Sequence, residues 1–192
     1  ILRSAYVHIP FCHRRCFYCD FTVIPLGDKI DTIKGYGSKT VKEYLYFLHK
    51  EILSIKHKSP LSTIYIGGGT PSILSPKHIK DLIDLFRDNY GVDYGAEITM
   101  EVDPASFNEN DLYGFINAGI NRFSLGAQSF NNQILENAGR RHLRSDVEKS
   151  CQWLKQVYDT GQIKSWSLDL IQNLPLCDCD LWLKDLKKAL KY

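Results

Sequence analysis

The chain has 192 residues, of which 44% are hydrophobic and 24% are charged, and its formal net charge is +2. This composition is typical of one globular domain or most of a larger one, and it argues against a nucleic-acid-binding surface and against an acidic tail. No apolar run approaches the ~20 residues that a membrane span needs, so we expect no span.

Short β-rich runs alternate with amphipathic helical runs, a pattern typical of a parallel α/β sheet. The first unit has a predicted strand at Ala5–Ile9, a polar loop at Gly27–Lys39 and a helix at Thr40–Ile55. The second unit has a strand at Ser62–Ile66 and a helix at Pro76–Tyr90, which begins with a first-turn proline.

The last three units follow the same pattern. Their predicted elements are the strand Glu97–Val102, the helix Asn108–Ala118, the strand Asn121–Leu125, the short helix Asn132–Ala138, a helix from the capping box Ser145–Glu148, the strand Ser165–Ile171 and the helix Asp180–Tyr192. The sequence therefore predicts five β/α units in a sheet that either stays open or curls into a barrel, with its chemistry at the carboxyl ends of the strands.

Three cysteines lie in the loop after the first strand, Cys12, Cys16 and Cys19, with the spacing C-x3-C-x2-C. Three thiolates can hold a four-iron cluster and leave one iron open to a small molecule, whereas structural sites usually fill every position. A zinc site that recruits His8 or His13 is an alternative, although zinc ligands usually come as two separated pairs. Disulfides and incidental core cysteines are further alternatives. The loop alone favours an iron–sulfur site.

Other conspicuous polar groups also lie at strand ends. The glycine run 67–69 follows the second strand, Glu101 ends the third and Gln128 comes just after the fourth, while Asp169 lies within the fifth. Glycines let a backbone approach a ligand closely, and a carboxylate in an apolar run needs a partner. An ordinary turn and an internal salt bridge are the alternatives for the glycines and for Glu101. We expect all these groups around one cavity with the cysteines.

With these motifs the chain resembles the radical S-adenosylmethionine (SAM) superfamily, and within it the coproporphyrinogen oxidase-like branch that contains the HemW-type heme chaperones and the oxygen-independent coproporphyrinogen III dehydrogenases. The resemblance runs from Tyr6 to about Pro175 and rests on the ordered segments YVHIPFCHRRCFYCDF, IYIGGGTPS, EITMEVDP, RFSLGAQSF, GRRH and SLDLI. It implies a partial TIM-type (β/α) barrel. It also implies that residues 1–192 form a radical SAM core domain that stops before the sixth unit and lacks the C-terminal domain of the family.

The resemblance also implies the site. The cysteines Cys12, Cys16 and Cys19 would hold a [4Fe-4S] cluster, and SAM would bind its open iron. Nine further positions match SAM contacts: Tyr6, Tyr18, Gly68, Gly69, Thr70, Glu101, Gln128, Arg140 and Asp169. Core packing is the alternative for each tyrosine, and a solvated charge is the alternative for Arg140. Of the remaining cysteines, Cys151 is predicted to lie in the core, and 177 and 179 are interpreted as incidental.

Two positions depart informatively from the family pattern. The dehydrogenases typically place an extra cysteine two residues after the third cluster ligand, where this chain has Phe21. Asn173 stands where the family commonly has glycine. The first departure favours a HemW-type heme chaperone that binds heme and transfers it to acceptor proteins. Oxidative decarboxylation of coproporphyrinogen III to protoporphyrinogen IX is the alternative function, and a zinc-binding structural protein is a remote one.

The resemblance implies three cofactors and several partners. The cofactors are the [4Fe-4S] cluster, SAM and heme, and the chemistry, if the protein is an enzyme, is reductive cleavage of SAM. The partners are heme or a porphyrinogen, a heme-acceptor protein and an electron donor such as flavodoxin or ferredoxin. We expect no signal segment before Ile1, and an oxygen-labile cluster suits a reducing compartment. We therefore expect the protein in the cytoplasm, a plastid or a mitochondrion.

Overall fold

Seven strands alternate with helices in this computed structural model, which describes residues 3–27, 39–55 and 59–192. In chain order the strands are β1 (Ser4–Ile9), β2 (Phe11–Cys12), β3 (Ile24–Pro25), β4 (Leu61–Gly68), β5 (Val92–Val102), β6 (Arg122–Gln128) and β7 (Ser165–Leu170). Strands β1, β4, β5, β6 and β7 form one parallel sheet in that order, and β2 pairs with β3.

Each strand of the large sheet is added beside the previous one, so the sheet winds in one direction, as in a partial TIM-type barrel. The predicted α/β class, the parallel sheet and the five β/α units are confirmed. Strand β5 begins at Val92, earlier than the predicted Glu97, because Val92 pairs with Leu61 of β4 beyond a shift in register.

The helices lie close to their predicted positions. They are α1 (Lys39–Ser54), α2 (Pro76–Tyr90), α3 (Glu109–Ala118), α4 (Asn132–Asn137), α5 (Arg144–Asp159) and α6 (Cys179–Ala189). Apart from its end residues, the predicted loop Gly27–Lys39 lies outside the described residues. None of the helices in the described ranges is long and apolar enough to span a bilayer.

The predicted capping box at the start of α5 is wrong. The helix begins at Arg144, one residue before Ser145, and Leu143 N–H donates to Asp146 Oδ2 at 2.8 Å. Glu148 instead forms ion pairs with Arg144 at 2.7 Å and with Lys188 of α6 at 2.9 Å. A carboxylate one turn into α5 therefore links two helices rather than capping one of them.

The two faces of the large sheet differ in polarity. Residues of β1, β4, β5 and β6, such as Ile66, Met100 and Phe123, are fully buried against the helices that cover one face. Burying such a side chain stabilises the fold by roughly 1.5–3 kcal/mol. Cys151 on α5 belongs to this core, as predicted, and burial raises the pKa of its thiol to about 12. The opposite face carries polar side chains and remains open to a cavity.

Candidate metal and cofactor site

A cavity of about 590 Å³ opens at the carboxyl ends of the strands. Its lining includes all three loop cysteines. It also includes eight of the nine predicted SAM-contact residues: Tyr18, Gly68, Gly69, Thr70, Glu101, Gln128, Arg140 and Asp169. Tyr6 is not among the lining residues. The predicted clustering of polar strand ends around one cavity is therefore confirmed.

The cysteine loop is held in place by its own backbone and by one arginine. Leu26 N–H donates to Cys12 O at 2.8 Å, which closes the loop beside the short β2–β3 pair. Arg15 donates through Nε to Cys19 O at 3.0 Å and through Nη2 to Phe21 O at 2.8 Å. All three cysteines are free thiols, so these hydrogen bonds, and no disulfide, hold the loop.

Two of the cysteine sulfurs have donors directed at them. Thr70 Oγ1 donates to Cys12 Sγ at 3.4 Å, and Arg140 Nη1 donates to Cys16 Sγ at 3.4 Å. Burial raises the pKa of the Cys12 thiol, and the Thr70 hydrogen bond opposes that rise. Within the described ranges, no three Cys, His, Asp or Glu side chains are placed to hold one metal ion. Cluster thiolates bind separate irons, so they lie farther apart than the ligands of one zinc ion, each at about 2.3 Å from the metal.

The end of β4 packs tightly against the cysteine loop. Gly69 N–H donates to Ile9 O at 2.8 Å, and Thr70 N–H donates to Phe11 O at 2.8 Å. A Cβ at Gly69 would lie 2.6 Å from Phe11 O and 2.9 Å from Cys12 Sγ. Gly68 has φ +116°, a conformation that favours glycine. These glycines are therefore required both by backbone conformation and by a close approach, which no side chain would permit.

Glu101 is held by two donors at the floor of the cavity. Tyr65 OH donates to its Oε1 at 2.8 Å and Gly68 N–H donates to its Oε2 at 3.1 Å. The salt bridge weighed as its alternative is not among these contacts. Burial, and then the hydrogen bond to Glu101, raise the pKa of Tyr65. Tyr65 was missed in the sequence, although it lies on the same strand face as Gly67, two residues before the glycine run.

Tyr6 lies outside the cavity lining, beside Tyr65, which in turn contacts the lining residue Glu101. Its ring stacks on Tyr65 with centroids 6.0 Å apart, and its hydroxyl lies 3.0 Å from His8 Nδ1. It is 61% exposed, which makes core packing the wrong alternative for this residue. Burial and the charge of Glu101 raise the pKa of Tyr6.

Arg140 lies within a largely buried polar network. Its guanidinium forms an ion pair with Asp103 and donates to Gly126 O at 3.0 Å, and its Nη1 lies 3.4 Å from Tyr18 OH. The side chain is 12% exposed, so the solvated-charge alternative is wrong. Burial raises the pKa of Tyr18, and the charge of Arg140 opposes that rise.

Asp103 and His142 complete this network, and sequence reasoning missed both. His142 is fully buried, with Nε2 3.0 Å from Ala127 O and Nδ1 3.6 Å from Asp103 Oδ2. Burial alone would raise the pKa of Asp103, but the Arg140 charge and the bond with His142 hold it well below its usual range. Their positions could have indicated a role at the site. Asp103 lies within the family segment EITMEVDP, and His142 lies within GRRH.

The last two predicted contacts lie on β6 and β7. Gln128 has φ +66°, where the register between these strands shifts, and its carbonyl accepts from Ile171 N–H at 3.0 Å. A side chain in this conformation costs energy and is typical of a functional position. Asp169 Oδ2 accepts from Ser124 Oγ at 2.9 Å, on the strand face that lines the cavity.

The chain belongs to the Radical SAM superfamily, whose family model matches residues 6–165. It is 39% identical over 188 residues to the Heme chaperone HemW of Synechocystis sp. and 34% identical over 189 residues to the Heme chaperone HemW of Lactococcus lactis. These alignments cover 97% and 98% of this chain but 44% and 46% of the relatives. The chain therefore spans less than half the length of the curated relatives it matches.

A solved structure shares both the fold and part of the sequence. Coproporphyrinogen III oxidase (HemN) from Escherichia coli, a Radical SAM enzyme, superposes with a TM-score of 0.81 at 30% identity. The match covers 98% of this chain and 41% of that one. The partial barrel expected from the resemblance is thus the fold of the chain.

Membership of the superfamily implies a [4Fe-4S] cluster and SAM, and the residues present fit both groups. Three free thiols in one short loop are the donor set of a cluster with one open iron. For SAM, the lining offers the backbone of Gly68 and Gly69, which no side chain covers, and the carboxylate of Glu101, which can accept from a ligand ammonium group.

Proposed function

We propose that this chain is the cluster- and SAM-binding core domain of a HemW-type heme chaperone, which binds heme and transfers it to acceptor proteins. One observation carries the proposal: the three cysteines and eight matched SAM positions line one cavity, in a chain 39% identical to a Heme chaperone HemW. Phe21, at the position of the extra dehydrogenase cysteine, supports the same branch.

The residues of the cavity have distinct roles under this proposal. The thiols of the loop hold the cluster, and Arg140, which lines the cavity, contacts SAM. Glycines 68 and 69 bring their backbone against the ligand, while Glu101, held by Tyr65, accepts from its polar hydrogens. The bound cluster and SAM supply one-electron reductive chemistry.

The alternative is an oxygen-independent coproporphyrinogen III dehydrogenase. The likeness to HemN supports this second candidate, since it extends over 98% of the chain at 30% identity. Phe21 argues against it, because a phenyl ring cannot replace the thiol of the extra cysteine. Both candidates need the same cluster and the same SAM site, so only substrate turnover and heme binding distinguish them.

The proposed partners follow from the same assignment. We propose flavodoxin or ferredoxin as the electron donor, a heme-requiring protein as the acceptor, and the cytoplasm, a plastid or a mitochondrion as the compartment. An oxygen-labile cluster on free thiols is stable only where the surroundings are reducing.

The test uses the complete gene product that contains this chain, reconstituted anaerobically with iron and sulfide. It is given SAM, a reductant and coproporphyrinogen III, and the products are separated by chromatography, while a parallel sample is titrated with heme. We expect stoichiometric heme binding and no protoporphyrinogen IX. Formation of protoporphyrinogen IX would instead identify the dehydrogenase, and a colourless preparation without visible absorbance would favour a zinc protein.

A further inference from the structure

Three arginines line the cavity but match no SAM contact: Arg14, Arg15 and Arg141. All three are exposed, whereas Arg140 is largely buried deeper in the same cavity. They therefore form its outer part. Phe21 is also exposed and lines the cavity, and we call these four residues the rim.

Hydrogen bonds to backbone carbonyls hold two of the rim guanidinium groups. Arg14 Nη2 donates to Arg140 O, and Arg15 donates to Cys19 O at 3.0 Å and to Phe21 O at 2.8 Å. A guanidinium has five N–H donors, so these bonds use one donor of Arg14 and two of Arg15. Backbone carbonyls thus position the charges of Arg14 and Arg15, and donors of both remain for a ligand.

The charge of the exposed lining is positive. Its carboxylates are Asp20 and Asp169, and Asp169 already accepts from Ser124 on the floor. The guanidinium groups of Arg14 and Arg15 keep unused N–H donors, so they can bind an anion. Arginines bind carboxylates in a planar fork, which makes a carboxylate the matching ligand group.

The rim also carries apolar surface. Phe21 is 65% exposed, and Val23 and Ile171 line the cavity with it. An exposed aromatic side chain at the mouth of a cavity is well suited to cover the face of a flat, apolar ligand. The ligand that fits the rim is therefore a flat apolar ring with carboxylate arms.

We propose that the rim binds the propionate carboxylates and one ring face of a tetrapyrrole, through Arg14, Arg15, Arg141 and Phe21. This inference rests on the proposed function, because it gives the substrate of that function a place at the mouth of the SAM cavity. An acidic electron-donor protein is the competing occupant of a positive surface. The position of the arginines and of Phe21 in the lining of the cavity favours the small molecule.

The test compares hemin with hemin dimethyl ester, in which both carboxylates are neutral esters and the ring and iron are unchanged. Both are titrated in the same detergent into the anaerobically reconstituted complete gene product, and binding is followed by the heme absorption. We expect wild-type protein to prefer hemin. Each of Arg14→Gln, Arg15→Gln and Arg141→Gln should weaken hemin binding by about tenfold, the value of one charge-assisted hydrogen bond, and leave ester binding within about twofold.

Each variant is titrated with both ligands. A folding defect would weaken the binding of both, whereas loss of carboxylate recognition would weaken the binding of hemin alone. Arg87→Gln on α2, where the side chain pairs with Asp84 outside the cavity, is the matched control and should change neither affinity. Arg14→Lys should recover part of the preference for hemin, because it restores the charge without the fork.

Three results would overturn the inference. Equal weakening of hemin and ester would assign the arginines to the structure of the loop. Unchanged hemin binding with slower cluster reduction by flavodoxin would assign the rim to an acidic protein. If the wild-type protein binds neither ligand, the proposed function fails together with the inference, whereas the first two results leave it standing.

Discussion

The buried ion pair of Arg140 and Asp103 lies directly beside the cysteine loop. Both side chains are largely buried, at 12% and 21% exposure, and the same arginine contacts Cys16 Sγ. Removing one partner of a buried pair leaves an uncompensated charge, which costs more than the pair itself contributes. Asp103 is therefore a positioning residue for Arg140. We expect its loss to lower the free energy of unfolding and to displace Arg140 at the site.

The first prediction concerns Asp103→Asn and pH. Because the folded-state pKa of Asp103 lies below its unfolded value of about 3.9, its contribution is present above that pH and is lost as pH falls toward the folded pKa. We expect Asp103→Asn to lower the free energy of unfolding by about 3 kcal/mol at pH 7. The difference from wild type should shrink below pH 4. Urea unfolding of the cluster-free chain at pH 7, 4 and 3 measures it.

Asp81→Asn is the control for this prediction. Asp81 forms an exposed pair with Lys77 one turn away on α2, so its removal should cost no more than about 0.5 kcal/mol. A constant difference between Asp103→Asn and wild type at all three pH values would show that Asp103 is not the titrating group.

The second prediction concerns Gly69→Ala. The new methyl group would lie 2.6 Å from Phe11 O, so the cysteine loop or the end of β4 must shift. We expect a cost of about 1–3 kcal/mol in stability and loss of most of the reconstituted iron and sulfide. Gly95→Ala on β5 is the matched control, because a Cβ there meets nothing within 4 Å. Full iron content in Gly69→Ala would mean that the close approach is not needed.

At the scale of elements, the carboxylate of Asp185 joins α6 to the turn that follows β6. Asp185 is 4% exposed, and it accepts from Ser129 Oγ at 2.6 Å and from Phe130 N–H at 3.0 Å, in the turn after β6. These contacts join the last helix to the segment that follows Gln128. The helix therefore supports the part of the floor that carries a strained residue.

The third prediction follows from this contact. Asp185→Ala leaves a buried hydroxyl and a buried N–H without their acceptor, and should lower the free energy of unfolding by about 2–3 kcal/mol. Lys184→Ala, an exposed neighbour on the same helix, should change it by less than about 0.5 kcal/mol. Urea unfolding of both variants decides the matter, and similar values for the two would refute the role given to Asp185.

Most elements were predictable because their apolar periodicity agrees with local signals. The α2 helix follows Ser75, whose side chain caps it, and α3 follows a capping box of Asn108 and Asp111. The start of α5 was not predictable from the same signals, because the carboxylate that bonds the helix start is Asp146, while Glu148 pairs with Lys188 of another helix. Asn173 adopts φ +62° where the family commonly has glycine, a conformation that asparagine tolerates.

For the whole molecule, the location of the site was predictable and its internal contacts were not. Parallel strands bring their carboxyl ends together, so residues that follow different strands meet without any knowledge of side chains. The roles of Tyr65, Asp103 and His142 depend on partners in other strands and loops, which no local pattern reveals. The SAM contacts themselves stay predictions. Phe21 favours the heme-chaperone branch over the dehydrogenase branch, and substrate turnover together with heme binding tests that assignment.

The contacts of the cysteine loop with residues 138 and 140 can form only late in the synthesis of this chain. Cys16 is synthesised early, yet Arg140, which contacts its sulfur, lies 124 residues later. At 5–20 residues per second, roughly 6–25 s separate the two on the ribosome. During that interval the three thiols exist without Arg140 and without the carbonyl of Ala138, to which Phe17 N–H donates at 3.1 Å. The loop can therefore reach the conformation described here only after residue 140 has been synthesised.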